Sequence, residues 1–189
     1  LMEQWTSYSY VPPIRNWGES SITGKGRSYG LEIEAEYNRE KLHLTAYYTL
    51  SWNERRFEEL WYDWYPDRND NRHKLTLMAN YRFSGRFDVY AGWNWHSGNR
   101  TTVEGYQSHL FGRPNNLSLP YYHRLDLGMN FRKTTRKGNE SIWNVSVYNA
   151  YCRMNTIFAN VQYNDFETTK GITYGIVPII PSFSYTLKF

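Results

Sequence analysis

Pro181-Ser182-Phe183-Ser184-Tyr185-Thr186-Leu187-Lys188-Phe189 alternates strictly between two kinds of side chain. Successive residues of a strand point to opposite faces. One face of this strand is therefore Phe183, Tyr185, Leu187 and Phe189, and the other is Ser182, Ser184, Thr186 and Lys188. A wholly apolar face needs cover, from a second sheet in a soluble protein or from lipid in a membrane. Left bare at a sheet edge in water, it would invite aggregation. The question for the rest of the chain is which cover its composition suits.

Aromatic residues make up 19% of the chain, with 18 Tyr and 8 Trp, yet its mean hydropathy is −0.75. A membrane-spanning helix needs about 20 consecutive apolar residues. No stretch here approaches that: even Ile176-Val177 is broken by Pro178 and resumed only by Ile179-Ile180. Abundant aromatics with low mean hydropathy suit a transmembrane barrel, whose strands alternate apolar-out and polar-in between two aromatic girdles. The formal charge of +4 is modest and unclustered, which argues against nucleic acid as a partner. A single cysteine, Cys152, cannot form an internal disulfide. Position 1 is Leu and no leader is visible, so the expectation is a processed chain or the tail of a longer polypeptide.

The same alternation recurs upstream. Leu31, Ile33, Ala35 and Tyr37 interleave with Glu32, Glu34 and Glu36, and after a short turn at 38–41 Leu42 to Trp52 alternate with His43 to Ser51. Leu75 to Phe83 alternate with Lys74 to Arg82, and beyond the tight turn at 84–86 Phe87 to Trp95 alternate with Asp88 to His96. Leu125, Leu127, Met129 and Phe131 interleave with Arg124, Asp126, Gly128, Asn130 and Arg132. After the charged turn 133–140, Trp143, Val145 and Val147 form a sixth strand, which Ile157–Tyr163 is expected to continue. The final strand is expected from about Gly171.

The pattern predicts an all-β, antiparallel transmembrane β-barrel segment of about seven strands. Long connections at about 1–27, 53–71, 98–120 and 164–170 alternate with the short turns, as extracellular loops alternate with periplasmic turns. In this register Glu32, Glu34, Glu36, Arg82, Arg124, Asp126 and Arg132 face the lumen, and no charge falls on the lipid face. An open edge in lipid would leave backbone groups unpaired, so seven strands call for more. Either an eighth strand near residues 1–12 closes a small structural or adhesive barrel, or the chain is part of a larger wall. A soluble all-β carbohydrate-binding domain would instead bury Leu31, Tyr48, Trp93 and Leu127 in one core.

Three strings resemble the C-terminal part of TonB-dependent receptors of the Bacteroidetes type: Gly24-Lys25-Gly26-Arg27-Ser28-Tyr29-Gly30-Leu31-Glu32, Tyr65-Pro66-Asp67-Arg68-Asn69-Asp70-Asn71-Arg72-His73-Lys74-Leu75, and Val147-Tyr148-Asn149-Ala150-Tyr151-Cys152-Arg153-Met154-Asn155 followed by Ile179-Ile180-Pro181-Ser182-Phe183-Ser184-Tyr185. Many relatives would carry Pro at Thr156. The terminal aromatic Phe189, with Phe183, Tyr185 and Leu187, looks like the C-terminal signal read by the barrel assembly machinery. The resemblance implies about the last seven strands of a 22-stranded barrel in the bacterial outer membrane, whose plug domain is absent from residues 1–189. It implies import of a siderophore, haem, cobalamin or oligosaccharide, driven by the TonB system through that plug, with a surface lipoprotein as a further candidate partner beside membrane lipid.

Candidate recognition residues lie in the loops. Trp61, Tyr62, Trp64 and Tyr65 sit among Arg55, Arg56, Glu58, Glu59 and Asp63. Aromatics with a polar tip bury much area at small entropic cost, so they suit a sugar or planar ligand. The commoner role of such residues is the packing of loop on loop or an outer girdle. Tyr106 and His109 share that division, and His109 or His96 would be the axial candidate for haem, though no paired spacing supports it. Asp67 and Asp70 lack the order of a calcium loop and read as turn formers. The row Glu32, Glu34, Glu36 has no positioned catalytic partner, and no nucleophile elbow, phosphate loop, zinc spacing or dinucleotide fingerprint is present. The sequence therefore predicts no catalysis, no metal and no cofactor.

Overall fold

The computed structural model describes residues 23–102, 113–135, 138–164, 168–175 and 177–189. Among these described residues twelve strands follow in order: β1 (Lys25–Arg39), β2 (Leu42–Phe57), β3 (Trp61–Pro66), β4 (His73–Arg82), β5 (Phe87–His96), β6 (Arg100–Thr101) and β7 (Leu117–Ser118). The remainder are β8 (Tyr122–Thr134), β9 (Glu140–Tyr148), β10 (Thr156–Asn164), β11 (Thr168–Gly175) and β12 (Ile180–Lys188). The main sheet runs β1-β2-β4-β5-β8-β9-β12, every neighbour antiparallel, with β3 attached to β2. Strands of this sheet pair in chain order, with the β10–β11 hairpin lying between β9 and β12 in sequence but in a sheet of its own, so the main sheet is an up-and-down meander.

The cross-strand register brings the apolar residues into continuous rows. Tyr37 lies opposite Leu44, then Ala79, Ala91, Leu127, Val147 and Pro181. The next row toward the short turns is Leu42, Tyr81, Val89, Met129, Val145 and Phe183. A one-residue slip anywhere would move a strand's apolar set to the other face. No slip occurs in the seven-stranded path, and the predicted register holds across it.

That apolar face is bare. Leu31 is 55% exposed, Leu127 42%, Val145 42% and Phe183 60%. Among the described residues the buried apolar side chains are Phe57, Tyr65, Leu119 and Ala159, none of them on the apolar rows of the seven-stranded path. Leu31 and Leu127 thus have no common core with Tyr48 and Trp93.

Several boundaries differ from the sequence reading. The first hairpin turn narrows to Glu40-Lys41, with Glu40 at a φ of 33°, as a two-residue hairpin loop requires. The expected loop 53–71 is partly sheet: β2 runs on to Phe57 and returns as β3, with Arg55 opposite Tyr65. Ile157–Tyr163 does not extend β9. It belongs to β10, which pairs with β11 in a separate hairpin, so the final strand starts at Ile180 rather than Gly171. The cause lies in Asn149 and Cys152, both at positive φ (54° and 53°), which turn the chain out of the β9 line. The third short turn also shrinks, to the residues between Thr134 and Glu140.

Candidate functional site

The long connections gather at one end of the sheet, and their anchoring is polar. Asp70, 1% exposed, accepts the backbone N–H of Asn53 at 3.0 Å and pairs with Arg72 at 2.9 Å. Arg72 in turn lies over the Trp52 ring, 4.8 Å from its centroid. Asp67 accepts the Asn69 N–H at 2.8 Å and pairs with Arg55. Both aspartates are therefore turn formers. Asn71 donates to the Ser97 carbonyl at 3.0 Å and Asn115 to the Pro66 carbonyl at 2.8 Å, which ties the second long connection to the first. At Gly98 the Leu119 carbonyl oxygen would lie 1.7 Å from a Cβ, so only glycine lets those two segments meet.

The aromatic candidates divide by burial. Tyr62 is 76% exposed and stacks on Trp61 at 5.4 Å. Trp64 is half-buried beneath the Arg27 guanidinium, 4.3 Å from its centroid. Tyr65 is 1% exposed and packs the β2–β3 hairpin, its hydroxyl without a hydrogen-bond partner. Burial pushes that hydroxyl's pKa up, with the charge of Arg55 opposing. Tyr62 is therefore open to solvent, whereas Tyr65 serves the loop's interior. Tyr106 and His109 lie outside the described residues. His96 is half-buried and stacks on Tyr122 at 4.7 Å.

The third motif string builds a corner. Asn149, 1% exposed, donates to the carbonyls of Arg153 at 2.9 Å and Val177 at 2.8 Å, and its own N–H reaches Asp126 at 3.0 Å. Asn155 holds both backbone groups of His123, at 3.0 and 2.9 Å. These contacts clamp the exit of β9 to β8 and to the approach of β12.

The face opposite the apolar rows carries all seven residues expected there. Glu36, Thr45, Met78, Gly92 and Asp126 form one row, and Glu34, Tyr47, Thr76, Asn94 and Arg124 the next. Glu32 and Thr49 continue toward the loop end, while Arg82 and Arg132 stand near the short turns. Arg124 pairs with Asp126 at 2.8 Å and donates to the Tyr148 hydroxyl at 2.6 Å. Arg132, Asn130 and Asn80 surround Asp88, which is 3% exposed. Tyr90 lies across Gly128, where a Cβ would come within 2.2 Å of the ring, and its hydroxyl receives Asn144 at 3.1 Å. The pairs Arg124–Asp126 and Arg132–Asp88 neutralise charge on this face, and the second ties β8 to β5.

Sequence reasoning missed a cleft of about 620 Å³ where the start of β1 meets the β2–β3 hairpin. Lys25, Lys74, Asn53 and Asn69 line it beside the pairs Arg27–Glu54 and Arg55–Asp67. Its signal was spread over three separate segments, each of which reads as a strand end or turn by itself. Among the described residues no group of three or more His, Cys, Asp or Glu could hold a metal ion. What fold and site define together is an all-β antiparallel sheet, apolar on one face and polar on the other, with a polar cleft at its loop end. No family model, curated protein or solved structure matches the chain.

Proposed function

We propose that the chain is wall and extracellular loops of a TonB-dependent receptor in the bacterial outer membrane, with its apolar face against lipid. The uncovered apolar face carries this reading. On β2 it extends from Trp52 to Leu42, ten steps of about 3.4 Å, which at a tilt near 45° is roughly 24 Å of height. An outer-membrane barrel presents an apolar band of about 25 Å. Aromatic clusters border the band at both margins. Tyr29 stacks on Trp52 at 5.3 Å and Tyr48 meets His73 at 2.9 Å at the loop end. Tyr81, Phe83 and Phe87, and Trp143 with Tyr185, lie toward the turn end.

Topology supports a wall with further strands. β1 and β12 stand at opposite edges of the sheet and, six antiparallel pairings apart, run in the same direction. Joining them would make one parallel ladder, so an all-antiparallel barrel needs at least one more strand. In this reading plug, remaining strands and the TonB system act from elsewhere in the receptor, the barrel assembly machinery reads Phe189, and the loop end receives the imported ligand, with or without a surface lipoprotein. The test is fractionation of cells making the full-length protein. It should partition with outer membranes, migrate faster unheated than boiled, and import ligand only when TonB is present. A soluble, detergent-free monomer would sink the proposal.

A further inference from the structure

We propose that the outer ends of β1 and of the β2–β3 hairpin sit in the polar headgroup layer of the membrane. They anchor the rim of the wall on its lipid side rather than cover its lumen. The inference rests on the receptor reading, since it takes the apolar face to meet lipid. Strand parity carries it. On β1 the apolar face reads Tyr29, Leu31, Ile33, Ala35 and Tyr37, and its next residues outward are Arg27 and Lys25. On β2 the same face is uncharged from Leu42 to Trp52 and continues as Glu54 and Arg56. The unshifted pairing sets Arg27 opposite Glu54 and Lys25 opposite Arg56. Charged groups thus begin on the lipid side just where the stacked rings of Tyr29 and Trp52 end the apolar band. Charge is costly in hydrocarbon and ordinary among headgroups. The step from Trp52 to Glu54 therefore marks where the hydrocarbon stops.

The hairpin adds an aromatic to that step. β3 places Tyr62, Asp63 and Trp64 between the partners of Phe57 and Arg55, where β2 has Arg56 alone. Such an irregularity re-aims side chains. Trp64 lies under the Arg27 guanidinium, its centroid 4.3 Å away, which puts the ring on the lipid side with Arg27. Arg27 pairs with Glu54 at 2.7 Å and Arg56 with Glu58 at 2.6 Å, so this end is dipolar rather than strongly charged. An indole among paired charges suits the membrane–water boundary. Trp collects there with its apolar body inward and its polar tip outward, and long basic side chains reach up to water. Glu54 and Arg56 stand two and four residues beyond Trp52, about 5 and 10 Å of height at ~3.4 Å per residue and a tilt near 45°. The headgroup layer is roughly 5–8 Å deep on each side of the hydrocarbon. Arg27 and Trp64 fall within it and Lys25 at its outer limit.

The test reads depth on both faces of β1. Full-length protein, with Cys152 and any other cysteine replaced by Ser, carries one bimane label, at Lys25→Cys, Gly26→Cys or Leu127→Cys. Gly26 is the neighbour of Lys25 on the opposite face, and a Cβ there meets nothing closer than 3.9 Å. Each protein is folded into phosphatidylcholine vesicles holding lipid with a nitroxide either on the headgroup or deep in the acyl chain. The headgroup nitroxide should quench Lys25→Cys at least about twofold more than Gly26→Cys, as a residue at the headgroup level requires. The acyl nitroxide should quench Leu127→Cys. Only protein in the folded, heat-modifiable band is scored, and where Lys25→Cys does not give that band, Arg56→Cys opposite it repeats the measurement. Equal, weak headgroup quenching at the two neighbouring positions, with Leu127→Cys quenched by the acyl nitroxide, overturns the anchor and leaves the membrane wall standing. Leu127→Cys untouched by either lipid instead sinks the receptor reading, so the two failures are told apart.

Discussion

Asn149 shows how the hydrogen bonds of one residue can hold a corner. It occupies a φ of 54°, a region that costs most L-residues about 1 kcal/mol or more and that Asn tolerates best after Gly. Its side chain also satisfies two carbonyls, those of Arg153 and Val177. Asn149→Ala should cost about 2–4 kcal/mol, from the strained φ together with carbonyls left unpaired in a buried site. Asn149→Gly removes only the hydrogen bonds and should cost about 1–3 kcal/mol. Urea unfolding midpoints of the two variants decide the matter. Equal losses would mean that backbone conformation contributes nothing, and no loss in either would remove the corner's structural role.

At the scale of elements, Asp70 ties the Pro-Asp turn to β2 at the base of the β2–β3 hairpin. Asp70 has a fully buried carboxylate, while Arg72 is 29% exposed, so the pair is worth less than a wholly buried one. Asp70→Ala should raise hydrogen exchange at the Asn53 amide by about ten- to hundredfold, the equivalent of roughly 1.4–2.8 kcal/mol. The Ala46 amide, deep in β2, should be unaffected. If both amides accelerate together, hairpin and wall open as one unit. Tyr65 adds a pH dependence. Its raised pKa favours the neutral hydroxyl in the folded hairpin, so this contribution is complete below about pH 10, the ordinary tyrosine value, and is lost as pH rises through the folded value. Tyr65→Phe should abolish that alkaline loosening, read as the pH at which Asn53 exchange departs from the intrinsic rate. It should leave neutral-pH stability unchanged or raised by up to about 1 kcal/mol, because a buried hydroxyl without a partner is removed. Alkaline loosening that persists in the variant would place the titrating group elsewhere.

These elements also mark how far the sequence could be read. The seven long strands and their register were legible because each alternates over at least three pairs, and a period of two is hard to mimic. The β3 return was not, since Trp61-Tyr62-Asp63-Trp64-Tyr65-Pro66 mixes aromatic and acidic residues without alternating. Its partners are set by β2 running on past the apolar band. The β10–β11 hairpin was absorbed into its neighbours because Ile157–Tyr163 looks like a strand wherever it is placed, and only the positive-φ turn at Asn149 and Cys152 redirects it. Of the candidate site, the polar-face residues followed from parity alone. The cleft did not, because it joins β1, β2 and the Pro-Asp turn, segments separated by up to fifty residues.

For the molecule as a whole, the two faces make opposite demands, and a matched pair of charges can tell which solvent each one meets. Leu127 lies mid-band in the row from Tyr37 to Pro181. Ser146 lies one register step away on the polar face, opposite Gly128 and Ser182. In lipid, Leu127→Arg should cost about 2–4 kcal/mol, the penalty for a cation at the midplane of a barrel wall. Ser146→Arg, carrying the same charge and bulk into a hydrated interior, should cost less than about 1 kcal/mol. The readout is the heat-modifiable fraction of full-length protein folded into vesicles, with urea midpoints for each variant. A soluble domain gives another pattern, since Leu127 is already 42% exposed and an arginine there would reach water at little cost. An asymmetry of several kcal/mol between two positions equally far along the sheet can come only from a low-dielectric medium against one face. Near-equal, small costs would mean that water lies on both sides, and the wall would then belong to no membrane.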